Sequence, residues 1–116
     1  MDDAFLPVPD VAALEALFAQ SHEGAVLLFN HDPGCGRSRR AHRELGAVGG
    51  DHGAIGLIDV RVARAVTAEL ARRTGVRHES PQVLLLRDGR AAWSASHGAV
   101  RAEAVERALA APPSGR

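Results

Sequence analysis

Val26-Leu27-Leu28-Phe29-Asn30-His31-Asp32-Pro33-Gly34-Cys35-Gly36-Arg37-Ser38 is the stretch that decides the fold. Its first four residues are an uninterrupted apolar run, the pattern of a buried strand, and Asn30 to Gly34 supply the turn residues that stop it. Beyond the turn, Ser38, Ala41, Leu45 and Val48 recur at helical spacing, which predicts a helix from near Cys35 to near Val48. The one cysteine of the chain therefore falls where a strand hands over to a helix N-terminus. The first N–H groups there lack intrahelical acceptors and the helix dipole favours negative charge, so the place suits a thiolate.

Working outward, Asp10 is placed to cap a helix whose Val11, Leu14, Leu17 and Phe18 line one face and which ends around Ser21 to Gly24. Pro7 and Pro9 make residues 1–8 a loose lead-in. The central strand covers 25–30. After the flexible Gly49-Gly50-Asp51-His52-Gly53, residues 55–60 read as a second strand. A helix with Val62, Val66 and Leu70 as its stripe follows, closed by Thr74-Gly75. Val83 to Leu86 is a solid apolar run, as in a strand covered on both faces. Asp88-Gly89 signals a hairpin, so Arg90 to Ser96 returns antiparallel. A last helix over 99–111 buries Ala102, Val105 and Leu109, and Pro112 and Pro113 stop it.

The order α-β-α-β-α-β-β-α, joined by short right-handed crossovers, predicts an α/β domain: a four-stranded mixed sheet with helices on both faces. That is a thioredoxin-like topology, with its active site at the turn that carries Cys35. A length of 116 residues suits a single domain over 1–116, with its core at about 10–111 and a short flexible tail at 112–116.

A net charge of zero and the lack of a basic run with interleaved aromatics give no support to nucleic acid or membrane-surface binding. All 14 basic residues are Arg. With no N-terminal signal pattern and no apolar stretch approaching the ~20 residues of a membrane span, a cytoplasmic location is expected. A single cysteine excludes an internal disulfide, in keeping with a reducing compartment.

Cys35-Gly36-Arg37-Ser38 forms a C-x-x-S unit. Residues three apart share a helix face, so the Ser38 hydroxyl is within range to hydrogen-bond the Cys35 sulfur. Serine at this position limits the chemistry to a one-thiol exchange resolved by an outside thiol. The bland alternative is a small buried hydrophobe. Arg37, Arg39, Arg40 and Arg43 crowd the first turns of the helix against its dipole, where they can stabilise a thiolate or hold carboxylates, or simply form a solvated face. Ser80-Pro81 opens a strand that reads as central, a place for a cis bond facing the cysteine turn, with the Ser80 backbone free to pair with an extended substrate. His97-Gly98 opens the last helix on the same side and is a candidate ligand contact. The six histidines include no clustered ligand set, so no metal is expected. Trp93 reads as strand packing.

The segment Arg73-Thr74-Gly75-Val76-Arg77-His78-Glu79-Ser80-Pro81-Gln82-Val83-Leu84-Leu85, with Asp88-Gly89 and Trp93-Ser94-Ala95-Ser96-His97, closely resembles the monothiol bacilliredoxin (YtxJ-like) family over roughly residues 10–110. The resemblance implies a cytosolic thioredoxin-like oxidoreductase that removes bacillithiol from mixed disulfides on client proteins. Cys35 would then be the redox cysteine, Ser38 the serine of the motif and Pro81 the cis-proline. Arg37, His97 and the Ser80 backbone would contact the malate and glucosamine parts of bacillithiol. Bacillithiol would serve as co-substrate with no tightly bound cofactor, and the protein is expected to be monomeric. Gly36 and Arg37 depart from the Pro and bulky apolar residue more common in that family, and Gly98 from its usual aromatic. Cys-Gly-Arg-Ser is similar instead to the Cys-Gly-Phe-Ser of monothiol glutaredoxins, some of which share a 2Fe–2S cluster with glutathione. A cluster carrier, or a non-catalytic thioredoxin-like adaptor, is therefore the alternative function.

Overall fold

The computed structural model describes residues 4–112, so Pro113 lies outside the described residues. In chain order the elements are β1 (Phe5–Pro7), α1 (Val11–Gln20), β2 (Val26–His31), α2 (Gly36–Gly46), β3 (Ile55–Asp59), α3 (Arg64–Thr74), β4 (Gln82–Arg87), β5 (Arg90–Ser96) and α4 (Ala102–Ala110), with a 3₁₀ turn at His97–Ala99 before α4. The sheet order is β1-β3-β2-β4-β5. β2 and β1 run parallel to β3, whereas β4 runs antiparallel to both β2 and β5.

β2 is buried along its whole length, and its alternating side chains feed two cores. Val26 and Leu28 pack with Leu14, Leu17 and Phe18 of α1 and with Val66 and Leu70 of α3. Leu27 and Phe29 point the other way, into Ala41 and Leu45 of α2 and Val105 of α4. A helix layer thus covers each face of the sheet, as its apolar runs require. Gly56 of β3 is demanded by this packing. A Cβ there would lie 2.7 Å from Leu28 Cδ2 and 2.8 Å from Leu17 Cδ1.

Four strands are expected from the sequence and five are present. Residues 1–8 read as a loose lead-in in the sequence, but Phe5–Pro7 form β1 on the edge of the sheet. Three residues are too few to show a strand period, and the cause is tertiary. Ile55 N–H donates to Ala4 O at 2.7 Å and Val8 N–H to Leu57 O at 2.9 Å, while the Phe5 ring stacks on His42 at 4.2 Å. An edge position also tolerates Pro7, which cannot donate to a ladder.

The Asp88-Gly89 hairpin forms as expected, with φ of 52° and 76° at its two turn residues. Gly75 closes α3 at a φ of 73°. Val62 does not join the α3 stripe: it is 77% exposed, and Ala63 takes the buried place. Asp59 explains this, because its carbonyl accepts from Val62 and Ala63 N–H and its carboxylate from Arg61 N–H, holding 60–63 as a turn. The last helix is likewise shorter than 99–111, starting after the 3₁₀ turn and burying Val105 most deeply. No helix among the described residues is long and apolar enough to cross a membrane.

Candidate active site

β2 ends in a β-turn that delivers Cys35 to the start of α2. Asp32 O accepts from Cys35 N–H at 3.0 Å, and the Asp32 carboxylate accepts from Gly34 N–H at 3.0 Å, so the Asp-Pro-Gly sequence folds on itself. Cys35 is the N-cap residue of α2, half-buried and extended at φ −106° and ψ 130°. Its thiol makes no capping hydrogen bond, which leaves the first-turn N–H groups facing the sulfur's surroundings.

Ser38 lies one turn further on, fully buried, and its hydroxyl is engaged with the strand end. Oγ accepts from Asp32 N–H at 2.9 Å and lies 2.7 Å from His31 Nδ1. With Nδ1 bare, the Ser38 hydroxyl donates to it. The hydroxyl read from sequence as a partner for Cys35 thus pins the helix start to β2. Burial, and secondarily the neighbouring His42, holds His31 below the ordinary histidine pKa of 6.5, so the ring is neutral near pH 7. Its ring stacks on Phe29 at 4.8 Å and lies 5.1 Å from His42.

The second half of the site comes from the loop before β4. Asn30 and Gln82 are register partners, which places Pro81 across from the end of β2, and the Ser80–Pro81 bond is cis. Gln82 is 4% exposed and holds this loop with its amide. Oε1 accepts from Asn30 Nδ2 at 2.9 Å and from Glu79 N–H at 3.2 Å, while Nε2 donates to Arg77 O at 2.9 Å. His97 N–H donates to Pro81 O at 2.9 Å, and its Nε2 lies 3.0 Å from Glu79 Oε1. Its backbone has a φ of 55°, uncommon for a side-chain-bearing residue. Ser80 Oγ is shielded from solvent without a hydrogen-bond partner among the described residues.

The family described as Monothiol bacilliredoxin BrxC matches residues 7–105. The chain belongs to that family. Solved structures agree on the fold. A protein with a thioredoxin fold superposes with a TM-score of 0.80 at 20% identity, over 90% of this chain and 93% of that one. A mutant thioredoxin from Halobacterium salinarum NRC-1 gives 0.67 at 20% identity, covering 93% and 89%. Thioredoxin from Trypanosoma brucei brucei gives 0.70 at 10% identity, covering 94% and 90%. A thiol redox function follows from membership of the bacilliredoxin family.

In this bacilliredoxin the four arginines of α2 part ways. Arg37 is exposed beside Cys35. Arg39 donates to Pro33 O at 3.2 Å, and Arg40 reaches across to His97 O at 3.2 Å, linking the two halves of the site. Sequence reasoning missed Asn30, His31 as the Ser38 partner, Glu79, Gln82 and Arg61. The Arg61 guanidinium lies beside the turn, 3.9 Å from where a Cβ on Gly34 would sit, and is held by two hydrogen bonds to the Asp59 carboxylate. Those bonds hold the Asp59 carboxyl below its usual pKa. Only the buried-polar pattern of Asn30 and Gln82, two amides ending or opening apolar runs, hinted at the clasp.

Proposed function

We propose that this chain is a monothiol exchanger that removes bacillithiol from mixed disulfides on client proteins. Ionised Cys35 attacks the bacillithiol sulfur, the client–bacillithiol S–S bond breaks, and the client sulfur leaves as a thiolate that takes up a proton. Cys35 then carries bacillithiol in a new mixed disulfide. The thiolate of a second low-molecular-weight thiol attacks the bacillithiol sulfur, regenerating Cys35 and releasing a small disulfide. Electrons therefore pass from the second thiol to the client, with no tightly bound cofactor or metal.

The observation that carries this reading is the lone half-buried Cys35 at the start of α2, just beyond the end of β2 against which the cis Ser80–Pro81 loop is registered, in a bacilliredoxin-family chain. Helix-start N–H groups favour charge on the sulfur, with Arg37 close by. Ser38 fixes the turn. Ser80 has an unpartnered hydroxyl and, with the Pro81 loop, offers an extended substrate a place to pair. His97, bonded to the Pro81 loop, and exposed Arg37 are assigned to contact the small thiol. A monomer in the cytoplasm completes the proposal. The test is mass spectrometry of a bacillithiol-modified client incubated with the protein and free bacillithiol. Wild type should release the adduct and pass through a Cys35 adduct, and Cys35→Ala should do neither. Release by Cys35→Ala would remove Cys35 as the nucleophile.

A further inference from the structure

Between the Pro33 turn and α2 lies a groove of about 320 Å³ lined by His31, Pro33, Arg39, His42 and Arg43. Its lining contains two guanidiniums, two imidazoles and no acid. Arg39 and Arg43 are four residues apart and so share one side of α2. The Arg39 guanidinium reaches back over Gly36, where a Cβ would lie 3.7 Å from Nη2. Through Pro33 and Arg39 the groove therefore reaches the turn that carries Cys35.

The neighbouring carboxylates are already engaged. Asp59 is bonded twice to Arg61, Asp32 accepts from Gly34 N–H, and Glu44 accepts from Ala102 N–H on the opposite flank. No ion pair involves Arg39 or Arg43 among the described residues. Arg39, near the start of α2, opposes the helix dipole, whereas Arg43 lies in the last turn, and neither guanidinium has a paired counter-charge among the described residues. An oxyanion in the groove would supply it, and paired guanidiniums suit a carboxylate.

We propose that this groove is a carboxylate subsite, in which Arg39 and Arg43 hold a carboxylate of the exchange partner beside Cys35. The role in exchange rests on the function proposed above; carboxylate binding itself does not. The carboxylate belongs either to the small thiol or to an acidic side chain flanking the client cysteine.

The probe is L-malate, titrated into full-length Cys35→Ser protein and followed by NMR of the His42 ring and the Arg39 and Arg43 side chains. Saturable shifts at these groups are expected, weakened about tenfold or more in Arg39→Gln/Arg43→Gln and unchanged in Arg64→Gln, on the far face of the sheet. The absence of saturable shifts, or their persistence in the double variant with retained spectral dispersion, overturns the subsite. Exchange kinetics then locate the source. If the small thiol provides the carboxylate, the double variant raises KM for a bacillithiol-modified client but not for a cysteamine-modified one. If the client provides it, KM rises only for peptides with an acidic residue next to the modified cysteine. Equal KM values for all substrates overturn the role in exchange. Failure of wild-type protein to exchange with any substrate would defeat the functional reading, while the malate titration would still decide the subsite.

Discussion

Asn30 and His31 are neighbours at the end of β2, yet they face opposite sides of the sheet and hold different halves of the site. His31, on the α2 and α4 side, meets Ser38 and so ties the cysteine turn to the strand. Asn30, on the α1 and α3 side, meets Gln82 and so ties down the Pro81 loop. The cysteine half is built from contacts within seven residues. The proline half depends on a contact between residues 52 apart. A local half needs little help to form, whereas the distant half exists only once the sheet is assembled. Disturbing the two halves should therefore have different consequences.

The largest effect is expected at the distant half. Gln82→Ala strands Asn30 Nδ2, the Glu79 N–H and Arg77 O, and losing a buried hydrogen-bond partner costs about 1–3 kcal/mol for each group left unpaired. Urea denaturation should show a loss of about 3 kcal/mol, with slower exchange even where the variant is fully folded. An unchanged midpoint and rate would break the comparison, because the loop would then not depend on its clasp.

At the local half, Ser38→Ala should cost about 1–2 kcal/mol by the same measurement, since it leaves the buried His31 Nδ1 unpaired while the Asp32 N–H is only partly buried and can recruit water. Activity should persist, because the hydroxyl serves the turn and Cys35 remains the nucleophile. Ser38→Cys sharpens this further. An internal thiol at that position should shorten the life of the bacillithiol adduct seen by mass spectrometry, and an adduct of unchanged lifetime would mean that position 38 does not reach the sulfur.

A smaller effect is expected from pH. The folded protein resists protonation of His31, whose pKa lies below its ordinary 6.5 because the ring is buried. Between the unfolded value and the lower folded one, the unfolded chain binds more protons, so stability falls as pH falls below about 6.5. Above that value His31 contributes no pH dependence. His31→Phe should flatten the fall in urea midpoint over this window, and an equal slope in the variant would assign it to other groups.

The smallest change concerns the bridge between the halves. Arg40→Gln removes an exposed hydrogen bond to His97 O, worth less than about 1 kcal/mol of stability. Its effect should appear instead as faster amide hydrogen exchange across 97–100. Unaltered exchange would show that the 3₁₀ turn is held by its Pro81 contact alone.

Much of the molecule is legible in the sequence because its signals are local. The Val26–Phe29 run, the Asp-Pro-Gly turn and the helical recurrence from Ser38 to Leu45 place Cys35 at a helix start with no tertiary information. Asp88-Gly89 determines its hairpin in the same way, through residues that accept positive φ. The resemblance in 73–97 identifies the family over most of the chain. What the tertiary structure decided are matters of partner choice. Phe5–Pro7 became a strand because β3 offered an open edge and His42 a ring to stack on. The Ser38 hydroxyl turned to His31, Gln82 found Asn30, and Arg39 and Arg43 came to line one groove with two histidines. Periodicity states which face a residue occupies. A hydrogen bond or a shared groove depends on which other element is brought against that face, and only the assembled sheet supplies it.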